Sequence, residues 1–145
     1  MASFKGNKAT FPAPNRVDGT SVDVVDKIAL TAVPAATDTI DFLLPAGVQL
    51  VGLTTINDDM DTGTTLLYSV GYRPVDGSNP AAVTDYFAAA GQTAFRAAGR
   101  VEYTFKPIVF EYAVYVSFLI GTAASGHSGT PELHIIASVN QIGTK

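Results

Sequence analysis

Pro107-Ile108-Val109-Phe110-Glu111-Tyr112-Ala113-Val114-Tyr115-Val116-Ser117-Phe118-Leu119-Ile120 opens the most hydrophobic segment of the chain, residues 107–124, and its reading decides the fold class. A membrane helix needs about 20 consecutive apolar residues. Here Glu111 interrupts the run, and the tyrosine, valine and phenylalanine content suits a pleated strand better than a spanning helix. Tyr112, Val114, Val116, Phe118 and Ile120 share one parity, which is the period of a strand. A core strand is expected, and no membrane partner is implied.

The same period extends outward in both directions. Downstream, Gly121 to Pro131 reads as a flexible hairpin tip, and Leu133, Ile135, Ala137 and Val139 make a closing strand. Upstream, Val101, Tyr103 and Phe105 alternate with Glu102, Thr104 and Lys106, and Leu66, Tyr68, Val70 and Tyr72 alternate with Thr65, Leu67, Ser69 and Gly71. Ile40, Phe42 and Leu44 lead into the reversal Pro45-Ala46-Gly47 and the extended run Val48 to Ile56, a hairpin by its turn chemistry. Val24, Asp26, Ile28 and Leu30 form an imperfect first strand. One segment breaks the pattern: Asn79-Pro80 offers an N-cap and first-turn proline, and Val83, Phe87, Ala90 and Ala94 then share a face at helical spacing. The expected architecture is all-β, an antiparallel β-sandwich or jelly-roll-like domain over residues 22–145, with one short inserted helix. Residues 1–21, which hold Lys5, Lys8 and Arg16 and no periodic apolar face, read as an extended basic N-terminal arm.

Composition bounds the function. At 145 residues the chain is about one domain. Charged residues are 15% and apolar residues 47%, so groups that normally coat a monomer are scarce. Val51 and Leu53, Tyr115 and Leu119, and Ile136 and Ile142 make several strands apolar on their second face as well, which implies a homo-oligomer or another covering partner. A net charge of −4 with nine Lys and Arg argues against direct nucleic-acid binding. No cysteine is present to form a disulfide, a thiolate metal site or a thiol nucleophile, and residues 1–20 lack the apolar run of a secretory signal.

No motif carries convincing chemistry. The acids Asp58, Asp59 and Asp61 suggest a calcium loop, but counting from Asn57 the obligatory glycine falls at Thr62 and the bidentate glutamate at Tyr68, so a solvated turn is the plainer reading. His127 and Ser128 are adjacent in a glycine-rich tip, which rarely holds a nucleophile and its base in register. No glycine run precedes the Lys-Ser or Lys-Thr pair of a phosphate cradle. The six tyrosines, Tyr68, Tyr72, Tyr86, Tyr103, Tyr112 and Tyr115, could stack on sugars, yet most lie on inward parities. No cofactor, metal or catalytic residue is expected.

Three elements in order carry a family likeness: Asp38-Thr39-Ile40-Asp41-Phe42 running into Leu44-Pro45-Ala46-Gly47; Asn57 to Gly63 before Leu66 to Gly71; and Tyr86-Phe87-Ala88-Ala89-Ala90-Gly91-Gln92-Thr93. A tyrosine-rich strand, a Gly-Thr-Ala-Ala tip and a final strand follow. Over residues 38–142 the chain resembles the capsid decoration, or head-stabilisation, proteins of tailed bacteriophages. That resemblance implies a sandwich or jelly roll, commonly trimeric and made in the host cytoplasm, that binds the major capsid protein on the outer surface of the virion and has no catalytic residues. It also implies that the arm reaches capsid or neighbouring subunits, which makes Phe4, Lys5, Lys8, Phe11 and Arg16 the candidate contacts. Phe95 and Arg96, which extend the alanine-rich run, depart from the pattern. The competing reading is a host-surface or glycan-binding module of a head or tail fibre, and a small hydrolase built on His127 and Ser128 comes last.

Overall fold

Residues with a two-residue apolar period occupy strands almost throughout. A computed structural model of the chain describes residues 2–5 and 21–142. Among these the strands are β1 (Ser3–Lys5), β2 (Ser21–Ala29), β3 (Thr39–Leu44), β4 (Val48–Asn57), β5 (Leu67–Pro74), β6 (Val83–Gln92), β7 (Gly99–Tyr103), β8 (Ile108–Phe110), β9 (Val114–Thr122) and β10 (Glu132–Gln141). The first sheet has the order β1-β3-β9-β5-β6; the second runs β2-β10-β4-β7, with β8 also paired to β4. Every pairing is antiparallel except that of β1 with β3. The result is a β-sandwich.

The core lies between the sheets. Phe42, Tyr68, Val116 and Phe118 enter it from the first sheet, and Ile28, Leu50, Ile135 and Val139 from the second, all fully buried or nearly so. Burial of one such side chain contributes about 1.5–3 kcal/mol. Phe95 stacks on Tyr68 at 4.0 Å between ring centroids, and the Tyr68 and Tyr103 hydroxyls meet at 2.8 Å across the core. Burial, reinforced by the neighbouring Tyr103 hydroxyl, pushes the Tyr68 hydroxyl far above the usual tyrosine range.

Three expectations are corrected. The segment expected to be a helix is strand β6 followed by one 3-10 turn, Ala94–Arg96. Its four-residue spacing comes from bulges: Tyr68, Val70 and Tyr72 of β5 pair with Gln92, Ala88 and Val83 of β6, so extra residues accumulate on β6 between each pair. Pairing with β5 overrides the helix propensity of the alanines, and Gly91, at φ +98°, takes a left-handed conformation that glycine adopts readily. On β4 another irregularity changes parity, because Ser138 pairs with Gly52 while Val139 pairs with Leu50. Val51 is thereby left outside and Leu53, expected on the second face, joins the core at 2% exposure. Tyr112, expected on the core strand, lies in the bend before β9 and is exposed.

The acidic turn also differs from a solvated one, since Met60 and Asp61 are completely buried. Asp61 accepts hydrogen bonds from the backbone N–H groups of Gly63, Thr65, Leu66 and Ser125 and from the Ser125 hydroxyl, at 2.7–3.0 Å. Burial alone would raise this carboxyl, but the donors, Ser125 foremost, outweigh it and hold the group well below the usual carboxylate range. The turn is thus tied to the β9–β10 tip. Residues 107–124, read as strand and not membrane helix, form β8, the bend and β9; no helix among the described residues is long and apolar enough to cross a membrane.

Candidate assembly interface

Phe4 and Lys5, two of the five candidate contact residues, lie on β1; Lys8, Phe11 and Arg16 fall outside the described residues. Ser3, Phe4 and Lys5 pair in parallel with Thr39, Ile40 and Asp41 of β3. These first residues therefore join the domain's own sheet, where the sequence suggested an extended arm outside the sandwich. Alternation explains where their side chains go. Phe4, opposite Ile40, is half-buried and packs against the core, whereas Ser3 and Lys5 share the outer face with Thr39 and Asp41.

That outer face holds a polar cluster. Asp41 is completely buried and faces the Arg73 guanidinium of β5, with Arg73 Nε 3.3 Å from Asp41 Oδ1. Ser3 Oγ donates to Asp41 Oδ2 at 2.6 Å and Thr39 Oγ1 at 3.2 Å, so the buried charge has both a counter-ion and hydroxyl donors. Tyr115 serves two cations: Lys5 Nζ lies 4.6 Å and Arg73 Cζ 4.7 Å from its ring centroid, and Lys5 also donates to the Tyr115 hydroxyl at 3.2 Å. Asp38 closes the cluster, accepting from Ala2 N at 2.8 Å and Ala35 N at 2.9 Å. The arrangement fastens β1 to the sheet and leaves the exposed Lys5 at its rim. Sequence reasoning missed Asp41, Arg73 and Tyr115 as a group; an acid inside the apolar alternation Ile40-Asp41-Phe42 was the available signal.

The remaining candidates fall apart as sites. His127 Nδ1 lies 3.2 Å from the Gly129 carbonyl oxygen, so that ring nitrogen is engaged by the loop's own backbone. No group of three or more His, Asp or Glu among the described residues is placed to hold a metal ion. Of the tyrosines, Tyr68, Tyr103 and Tyr115 are buried and Tyr72 and Tyr86 half-buried, leaving Tyr112 exposed. Tyr112 lines a cleft of about 280 Å³ with Pro80, Tyr72, Ile108 and Val109. Other large apolar side chains at the surface, Val25, Val51, Ile56 and Val109, project from the second sheet.

No protein-family model matches the sequence, and no curated protein matches it. Among solved structures, a chain in the capsid of Ralstonia phage GP4 superposes with a TM-score of 0.70 at 25% identity, covering 99% of this chain and 100% of that one. A chain in the capsid asymmetric unit of cyanophage Pam1 superposes with a TM-score of 0.58 at 18% identity, over 88% of this chain and 90% of that one. The second likeness bears on the fold alone.

Proposed function

We propose that this chain is a non-catalytic structural protein of a bacteriophage virion that binds the major capsid protein lattice from outside and stabilises it. The observation that carries this reading is the end-to-end similarity to a chain of the GP4 phage capsid, with both chains covered almost completely. The low charge content and the apolar side chains exposed on the second sheet agree with a protein that works by burying surface. The mechanism is added contact area, as a homo-oligomer, a trimer in the arrangement the resemblance implies, bridges neighbouring capsid subunits. A stable interface of this kind buries about 1,200–2,000 Å² in total. Each bridge must break before the subunits separate, so the barrier to disruption rises without any reaction. Lys5, Lys8 and Arg16 supply the salt-sensitive part of attachment and Phe11 an apolar anchor. A sugar-binding module is less well supported, because among the described residues Tyr112 offers a single exposed ring where a glycan platform needs several.

Co-sedimentation with undecorated capsids tests this reading. Saturable binding is expected, and replacing Lys5, Lys8 and Arg16 together by alanine should weaken it mainly at low salt. Absence of binding at any salt concentration would overturn it.

A further inference from the structure

The outer face of the second sheet has an order that a covering partner must match. Cross-strand pairing arranges β2, β10 and β4 into three outward rows: Asp23, Ser138 and Gly52; Val25, Ile136 and Thr54; Lys27, His134 and Ile56. Exposure confirms the facing, because Val24, Asp26, Ala137, Leu53 and Thr55 between them are buried. Contacts within the face agree: Ser138 Oγ donates to Asp23 at 2.7 Å, and Lys27 pairs with Glu132 at 3.3 Å. Val25 at 44% and Ile56 at 39% are large apolar groups in water.

We infer that this face pairs with the same face of a second copy of the chain, about a twofold axis running along the middle row. Rotation about that axis lays β2 on β2, β10 on β10 and β4 on β4 with their directions reversed. Asp23 then opposes Lys27 of the other copy, Ser138 opposes His134, and Gly52, which has no side chain, opposes the protruding Ile56. Val25 and Ile136 meet their own counterparts on the axis. On these three strands charge and size are therefore complementary under one operation, as an isologous contact requires, while on the flanking β7 Glu102 continues the middle row and meets its own counterpart, with Arg100 beside it at 3.7 Å. A twofold axis running along β10 would instead lay β2 on β4, setting Asp23 against Gly52 and Lys27 against Ile56 and forming no charge pair. Two sheets packed this way stand about 10 Å apart. Edge pairing through β2 is disfavoured by a separate device: the Asp26 carboxylate takes the Lys27 N–H at 2.8 Å, removing a donor that an added strand would need. On this side of the second sheet the face, and not the β2 edge, is the surface offered to a second copy.

This contact is independent of the capsid lattice and is tested without it, so its failure and the failure of lattice binding are separate results. Sedimentation of the full chain over a range of concentrations should show even-numbered species, a dimer or two larger oligomers joined. Asp23→Lys and Lys27→Asp should each weaken association about a hundredfold, the scale of two lost charge contacts because the twofold axis repeats each one, and the double substitution should recover most of it. Because the chain has no cysteine, Val25→Cys gives a single reporter on the axis and should be joined to its counterpart by a short bis-maleimide, which spans the gap between sheets that a disulfide is too short to bridge. Unchanged melting temperatures would verify that the variants fold. A monomer or a trimer alone at all concentrations, a double variant no better than the singles, or a Val25→Cys chain that fails to cross-link would overturn the inference.

Discussion

Asp61→Asn is the most informative single perturbation of the fold. The carboxylate is completely buried, and its two oxygens serve separate sets of donors: Gly63 N, Ser125 N and Ser125 Oγ on Oδ1, Thr65 N and Leu66 N on Oδ2. Asparagine keeps the shape but replaces one oxygen by an NH2 group. In either orientation two backbone N–H groups then face a donor. Leaving a buried donor unsatisfied costs about 1–3 kcal/mol, so the pair should cost about 2–6 kcal/mol. For a chain of this size the melting temperature should fall by roughly 5–20 °C. The pH dependence gives a second readout. The folded-state carboxyl titrates below its ordinary value of 3.8, so the unfolded chain binds a proton first as the solution is acidified. Its contribution is present above that value and disappears as pH falls through the folded-state value. Denaturant unfolding at neutral pH and along the acid limb measures both effects, and the asparagine variant should lack this part of the acid limb. A variant within about 0.5 kcal/mol of the parent, the range of a neutral surface change, would refute the reasoning.

Three further outcomes follow from the packing. Excess calcium or chelator should leave the melting temperature unchanged, because both Asp61 oxygens are already committed to the chain's own donors; a ligand specific for the native state would raise it. Gly71→Ala should destabilise the chain by about 1–3 kcal/mol in denaturant unfolding, since a Cβ there would overlap the Val83 carbonyl oxygen where β6 crosses β5. Tyr68→Phe should cost about 1–2 kcal/mol by removing the Tyr103 partner. The same substitution should also soften alkaline unfolding, because a hydroxyl whose folded-state value is raised contributes stability below its ordinary value of 10.0 and loses it as pH rises beyond.

Strands that keep strict alternation were legible from residue order alone. Leu133, Ile135, Ala137 and Val139 on β10, and Val24, Asp26, Ile28 and Leu30 from β2 onward, are buried as their parity requires. Legibility failed where the backbone departs from the two-residue period. The irregularity at Val51 exchanges the faces of β4, and the bulges in β6 space Val83 and Phe87 as a helix would. Both follow from a partner strand far away in sequence, which no local pattern contains.

The exposed apolar face of the second sheet was legible in kind more than in place. Low charge and second-face apolar residues pointed to a covered surface, and Val51 and Ile136 do lie on the outer face of the second sheet. Asp41 and Arg73, 32 residues apart, meet only because β3 and β5 both flank β9. Asp61 looked like a solvated acid because its donors include Ser125, 64 residues away. Phe4 looked like an anchor for a partner, yet parallel pairing with β3 turns it toward the chain's own core.

The central claim, a lattice stabilised by added contact area, is tested most directly by the heat-disruption temperature of undecorated capsids with and without saturating amounts of the purified chain. The account predicts a rise that grows with occupancy and levels off once the sites are filled. An unchanged disruption temperature with the chain fully bound, or no bound chain at all, would contradict it.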